Sequence, residues 1–278
     1  MPDTSQNRLE LDLKTIFPFE LDNFQREAIA ALDAGKSVVV CAPTGSGKTL
    51  IGEYAIHQAL SRGRRVFYTT PLKALSNQKL RDFRRQFGDD QVGLLTGDIS
   101  VNRDAPILVM TTEIFRNMLY GTPIGAVGAS LTGVETVVLD ECHYMNDRQR
   151  GTVWEESIIY CSGEIQLLAL SATVANSGQL TDWINKVHGP TELVYSDFRP
   201  VPLEFHFANQ KGLFPLLDET GTRANQRLVP KKKQQKVERG SIPVPSLTDV
   251  LARLDDRDML PAIYFIFSRR GCDQAVAE

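Results

Sequence analysis

No stretch of this sequence carries the long apolar run that a membrane span requires. Crossing a bilayer takes about 20 consecutive apolar residues, and nothing here approaches that length. The first dozen residues are polar and acidic, without the apolar core of a secretory signal or the arginine-rich pattern of a transit peptide. Cysteine is scarce: Cys41, Cys142, Cys161 and Cys272 are scattered, with no C-x-x-C pair and no repeated spacing. That pattern argues against a disulfide framework or a zinc site, and for buried free thiols in a reducing compartment. An excess of one charge sign is missing too. Thirty-one Lys and Arg against 34 Asp and Glu leave a net charge of −3, so any nucleic-acid surface must be local. No internal repeat is visible. What remains is an ordinary globular composition, 42% hydrophobic and 23% charged over 278 residues. At roughly 150 residues per domain, that length allows one or two domains. The expectation is a cytoplasmic protein with no membrane partner.

Against this plain background one stretch stands out. Ala42-Pro43-Thr44-Gly45-Ser46-Gly47-Lys48-Thr49 follows directly on the apolar run Val38-Val39-Val40-Cys41. A short β-branched run, a Gly-rich turn and Lys-Thr opening a helical pattern form the sequence signature of a phosphate-binding P-loop. Glycine at 45 and 47 permits backbone angles closed to other residues, so that N–H groups of Thr44 to Gly47 can surround phosphate oxygens. The helix that starts here adds the positive end of its dipole. Lys48 can reach the β- and γ-phosphates, and the Thr49 hydroxyl can ligate Mg²⁺. Ala42 stands where the commonest form of the motif has its first glycine, which leaves the cradle intact. The reading is a nucleoside triphosphate site that works with Mg²⁺.

Strand and helix patterns alternate along most of the chain. Strands are expected at 37–41, 65–69, 91–96, 106–111, 134–140, 165–171 and 191–195. Helices are expected at 25–34, 49–61, 72–87, 112–119, 151–160 and 178–187. The run 134–140 is apolar at nearly every position, as in a strand covered on both faces. Such alternation predicts an α/β fold: right-handed crossovers and a parallel sheet flanked by helices, with ligands at the strands' carboxyl ends. After about residue 207 the composition changes. Lys231, Lys232, Lys233, Lys236 and Arg239, set against Glu238, give +4 within residues 228–240. This reads either as a solvated connector or as an insertion that touches phosphate. A helical pattern returns at 245–254, residues 262–267 read as a buried strand, and 269–278 as the start of a helix. The expected division is a first domain at 1–207, a basic connector at 208–245, and the beginning of a second domain at 246–278.

Asp140-Glu141-Cys142-His143 closes the apolar run at 134–140. An acidic pair at the carboxyl end of a central strand suits a metal and an attacking water. Asp140 is placed to hold Mg²⁺ and Glu141 to orient the water. With the P-loop ahead of it, this tetrapeptide resembles the DExH helicases of superfamily 2. Phe17-Pro18-Phe19 ahead of Gln25 is similar to that family's adenine-reading segment, which implies that Gln25 reads the base. The run from Thr70-Pro71-Leu72-Lys73 to Lys79 resembles motif Ia. Thr96-Gly97-Asp98 and Thr111-Thr112-Glu113 resemble the next two motifs that grip the nucleic-acid backbone. Ser171-Ala172-Thr173 matches motif III, which couples the nucleotide site to strand separation. Phe198-Arg199-Pro200-Val201-Pro202-Leu203 is similar to a segment of the superkiller-type, exosome-associated RNA helicases, and Phe265-Ile266-Phe267-Ser268-Arg269-Arg270 to motif IV.

The resemblance implies a RecA-like P-loop domain followed by the start of a second one. It implies catalytic roles for Lys48, Asp140, Glu141 and His143, and a single-stranded nucleic-acid grip by Pro71, Lys73, Thr96, Gly97, Thr111 and Thr112. Ser171 and Thr173 become coupling residues, and an RNA-processing complex a partner. His143 also fits a neutral core histidine, and the threonines also fit strand-end residues that satisfy backbone groups. Two functions follow. One is an ATP-driven helicase acting on RNA, with DNA as the alternative; the other is a nucleotide-switched binding clamp without unwinding. This chain by itself is expected to be a poor ATPase, because the family's transition-state arginines lie beyond motif IV.

Overall fold

The run Ser37-Val38-Val39-Val40-Cys41 becomes strand β1, fully buried one place in from the sheet edge, in the first of two units, residues 1–200 and 201–278. The computed structural model describes residues 11–121, 131–228 and 245–277. In the first unit α1 (Leu13–Ile16) and α2 (Asn23–Asp33) precede β1 (Ser37–Cys41) and α3 (Thr49–Ser61). Then come β2 (Arg65–Thr70), α4 (Lys73–Phe87), β3 (Val92–Leu95), β4 (Ser100–Val101), β5 (Ile107–Thr111) and α5 (Thr112–Leu119). The unit closes with β6 (Val134–Leu139), α6 (Thr152–Tyr160), β7 (Gln166–Ser171), α7 (Ser177–Val187) and β8 (Thr191–Tyr195).

The strands form one sheet in the order β4-β3-β5-β2-β6-β7-β1-β8. Every pairing is parallel except β3 with the short edge strand β4. This is the parallel, helix-flanked fold that the alternating pattern predicts, with β4 as an addition that two exposed residues could not announce.

Period-two burial explains why the apolar strands show no alternation in their sequence. Val38 and Val40 pack into one core with Ile29, Leu32, Ile51, Ile56 and Phe83, whereas Val39 and Cys41 pack into another with Phe67, Phe115, Trp154 and Ile158. Both faces are dry, so both sets of side chains must be apolar. Each fully buried Val, Leu or Phe contributes about 1.5–3 kcal/mol, and successive positions along a strand do so on opposite faces.

Strand order then decides which loops meet. Along the carboxyl edge the strand ends run from Thr96 after β3, through Thr111 on β5, Thr70 on β2, Asp140 after β6 and Ser171 on β7, to the Gly-rich loop after β1. The two acid-bearing and loop-bearing strands, β6 and β1, are not neighbours. With β7 between them their ends stand about 10 Å apart, two strand spacings, which is room for a ligand rather than for direct contact.

In the second unit β9 (His206–Asn209) and β10 (Gly212–Pro215) form an antiparallel hairpin. Helix α8 (Leu247–Asp255) packs on it: Arg257 Nη2 donates to the Leu213 carbonyl at 3.0 Å, and Arg253 to the carbonyls of Asn209 and Gln210. Helix α9 (Arg269–Ala277) is the last element.

The two compact units divide after Pro200, and in the second β9, β10 and α8 hold one another. One expectation is corrected here. Residues 262–267 are not a buried strand: Ile263 is 81% and Phe265 78% exposed, and no strand is formed. An apolar run needs ladder partners before it becomes a strand, and among the described residues none pairs with this one. The basic cluster Lys231–Lys233, Lys236 and Arg239 lies outside the described residues.

Candidate functional site

The Gly-rich loop takes the conformation that its glycines permit. Gly45 and Gly47 both have φ of +85°. A Cβ at Gly47 would stand 2.8 Å from Gln25 Nε2, so a side chain there would be strained by its angle and would push the Gln25 amide off the Gly47 carbonyl. Lys48 Nζ donates to the carbonyls of Ala42 at 2.7 Å and Pro43 at 2.9 Å. Burial pushes its ammonium below the ordinary lysine value, opposed by the carboxylates of Glu141 and Asp140, with Arg199 a further positive neighbour. Ser46 is buried and its hydroxyl has no partner. A buried, unpaired hydroxyl costs roughly 1–3 kcal/mol, and here it sits in a loop whose backbone N–H groups and lysine suit phosphate oxygens. The residues fit a nucleotide's phosphates.

Gln25 lies beside this loop rather than apart from it. Its Oε1 accepts from the Asp22 N–H at 2.9 Å, capping α2, and its Nε2 donates to the Gly47 carbonyl at 3.3 Å. Both ends of the amide are therefore engaged. Of the nearby aromatics, Phe17 and Phe24 are core, whereas Phe19 is exposed.

At the end of β6, Asp140 Oδ2 accepts from the Tyr68 hydroxyl at 2.9 Å and Oδ1 from the Glu141 N–H at 3.0 Å. Burial, with the Asp140 carboxylate, drives the Tyr68 phenol well above its usual value, so it stays a donor. Glu141 has φ 52° and ψ 43°, a left-handed geometry that costs a non-glycine residue about 1–2 kcal/mol. The turn aims its carboxylate back toward His143, whose Nδ1 lies 3.3 Å from Glu141 Oε2 and 3.4 Å from the Ala172 N–H. One nitrogen cannot serve both. It accepts from Ala172 when bare and donates to Glu141 when protonated, so His143 stands between the acidic motif and the Ser171-Ala172-Thr173 segment. Ser171 is buried with its hydroxyl on the Ala172 carbonyl, and Thr173 is exposed.

On the other half of the edge the side chains are largely committed to one another. The Thr96 hydroxyl donates to Asp98 and accepts from the Ile99 N–H. Lys73 Nζ pairs with Asp98 at 2.8 Å, both well exposed, and that lysine with Thr96 holds the Asp98 carboxyl below its usual range. Thr112 is fully buried, its hydroxyl on the Thr70 carbonyl. What Thr112 can offer a phosphate is its backbone N–H at the start of α5, a helix whose N-cap, Thr111, makes no side-chain cap bond. Gly97 is exposed, with nothing near the place a Cβ would take. Pro71 presents its carbonyl inward, to Arg150.

Sequence reasoning missed three side chains that tie these parts together. Arg150, eight residues past Cys142, donates Nη2 to the Pro71 carbonyl at 2.6 Å and pairs with Glu113. One guanidinium thereby clasps the loops after β2 and β5. Lys79 and Tyr68 meet Asp140 from α4 and β2. Only the neighbouring of β2 with β5 and β6 could have shown any of this.

The Gly-rich cradle, the acidic turn one strand away and the polar strand ends beyond it define a P-loop nucleotide-binding domain with a second, phosphate-suited surface on the same edge. The DEAD/DEAH box helicase family profile matches residues 22–180, and the chain belongs to that family. It is 48% identical over 95% of its length to the DExH-box ATP-dependent RNA helicase DExH15, chloroplastic, of Arabidopsis thaliana, covering 26% of that protein. It is 41% identical over 92% of its length to the exosome RNA helicase MTR4 of Homo sapiens, covering 25% of it. These relatives agree with the superkiller-type resemblance, and the chain spans about a quarter of their length. A solved structure of the Mycobacterium smegmatis helicase Lhr, bound to single-stranded DNA and AMP-PNP, matches 66% of this chain and 26% of Lhr at 28% identity, with a TM-score of 0.55.

Proposed function

We propose that this chain is the ATP-binding and strand-gripping part of an RNA helicase. The observation that carries the reading is the edge order: loop, acidic turn and polar strand ends follow one another without interruption along one side of the sheet. Lys48 leaves the Ala42 and Pro43 carbonyls for the phosphates, and Ser46 gains the partner it lacks. Thr49 and Asp140 hold Mg²⁺, which neutralises phosphate charge when bound. Glu141 orients the water that attacks, and His143 carries the state of that site to Ser171 and Thr173. Gln25 and the exposed Phe19 lie where a base would rest against the loop. Lys73, the N–H groups at Gly97, Thr111 and Thr112, and the turn after Pro71 bind phosphates of a single strand without reading sequence.

RNA is favoured because two relatives, at 48% and 41% identity, are named RNA helicases. DNA is the second reading, favoured by the single-stranded DNA in the Lhr structure. Competition decides: labelled single-stranded RNA bound to the chain at low salt should be displaced by unlabelled RNA at lower concentration than by DNA of the same sequence. The reverse order would make this a DNA enzyme. The MTR4 likeness further suggests work within an RNA-processing complex. Steady-state hydrolysis by the 278-residue chain should stay near that of Glu141→Gln, with or without RNA. An arginine that neutralises γ-phosphate charge is worth roughly 10³–10⁵ in such enzymes, and no arginine among the described residues is seen to hydrogen-bond at the loop. Strong RNA-stimulated turnover would show the clasped edge to be sufficient alone.

A further inference from the structure

Lys79 has no part in the roles above, yet its ammonium sits where the two protein groups assigned to Mg²⁺ come together. Nζ is 3.0 Å from the Thr49 hydroxyl and 3.8 Å from Asp140 Oδ2. The Lys79 side chain is 15% exposed and that of Asp140 14%, so the pair is largely withdrawn from water. Its stem runs between the rings of Tyr68 and Phe83, with Nζ 5.3 Å and 5.9 Å from their centroids. Tyr68 meanwhile donates to the same Oδ2. Helix α4 and strand β2 thus aim one positive charge at one hydroxyl and one carboxylate.

A divalent ion on those two oxygens would stand within a few ångströms of that ammonium. In a partly buried site like charges so close repel strongly, and the Thr49 oxygen cannot face both at full strength. We propose that Lys79 is a resident counter-ion of the metal site, which holds Thr49 and Asp140 together and is exchanged for Mg²⁺ when the metal–nucleotide complex binds. The proposal rests on the assignment of Thr49 and Asp140 to the metal.

It has a mechanical consequence. Lys79 is six residues from Lys73 on α4, about 9 Å along the axis at 1.5 Å per residue. While the ammonium stays on Thr49 it ties α4, and the motif at its head, to the helix that leaves the P-loop. Exchange releases that tie, so metal arrival at the nucleotide half alters a helix that starts at the grip half.

The test is a Mg²⁺ titration of fluorescent ADP binding to the 278-residue chain, with melting temperature in EDTA and no nucleotide as a second readout. Lys79→Met keeps the packed stem and removes the charge. It should lower the half-saturating Mg²⁺ by about tenfold, the size of effect a like charge has at this range, while the EDTA melting temperature falls. Lys79→Gln, which can still bond the Thr49 hydroxyl, should lower the Mg²⁺ requirement as well and keeps the test alive should Lys79→Met not fold. In an Asp140→Asn background the gain should vanish. A lysine with a merely structural role would lower the melting temperature and leave the Mg²⁺ requirement alone, and that result overturns the proposal. Nucleotide binding that ignores Mg²⁺ in the unchanged chain, or that survives Lys48→Ala, would remove the metal-site assignment and this proposal with it. An ordinary Mg²⁺ dependence, unaltered in both Lys79 variants, would overturn the exchange alone.

Discussion

At the proposed nucleotide half of the sheet edge, the groups are partly withdrawn from water or strained. Ser46 is buried without a partner, Lys48 is half-buried on the carbonyls of Ala42 and Pro43, and Glu141 is held in a left-handed turn. At the grip half the side chains are satisfied or exposed: Thr112 is turned inward, Thr96 closes its own turn and Lys73 pairs with Asp98 in water. On the proposed function, the first half takes a single ligand of fixed shape, whose arrival repays stored cost. The second, on the same proposal, offers backbone N–H groups and exposed charges to a strand of any sequence. Both hang on the same parallel sheet, so the contrast lies in the loops alone.

Five changes would sharpen or break that contrast. Lys48→Ala should weaken Mg·ATP binding by on the order of 100-fold, since a charge-assisted bond is worth about 1.5–3 kcal/mol. Glu141→Gln should bind as the unchanged chain does. Fluorescent-nucleotide titration checks both, and equal affinity in Lys48→Ala would end the P-loop assignment. Arg150→Ala should weaken single-stranded RNA binding by about tenfold, because one charged clasp on two loops is lost, with nucleotide affinity unmoved. Anisotropy of labelled RNA reads the first and the same nucleotide titration the second. A nucleotide effect as large as the RNA effect would mean that the two halves are one. Alanine at Thr111 and Thr112 together should cost a further few-fold in RNA affinity, about 1 kcal/mol, and equally for all sequences. A loss confined to some sequences would argue for base readout. Lys73→Ala should be the mildest. It should lower RNA affinity only slightly and reduce the slope of log affinity against log salt by about 1. An unchanged slope would show that Lys73 serves Asp98 and touches no phosphate.

These expectations draw on residues of unequal legibility. The helix at 49–61 and the strand at 37–41 could be read to the residue, because a P-loop compresses its constraints into eight consecutive positions. Residues 262–267 read equally well as a buried strand, being as apolar as β1, and are exposed instead. The difference is a ladder partner, which no local pattern contains. Composition and packing also mark different things: the change at 207 marks polarity, whereas the hairpin of β9 and β10 is held by Arg253 on α8 and by Arg257 just after it, some forty residues on.

Motifs in this chain are local because the chemistry within each is local. A glycine must stand next to the lysine it positions, and an aspartate next to the glutamate it orients, so spacing along the chain determined the nucleotide, the family and the residue types of the site. Arg150 on Pro71 and Glu113, and Lys79 on Thr49 and Asp140, join residues 30 to 79 positions apart. Such pairs depend on which strands lie side by side. That order is set by crossovers and by the packing of two dry faces, and it became visible only once β2 was placed between β5 and β6.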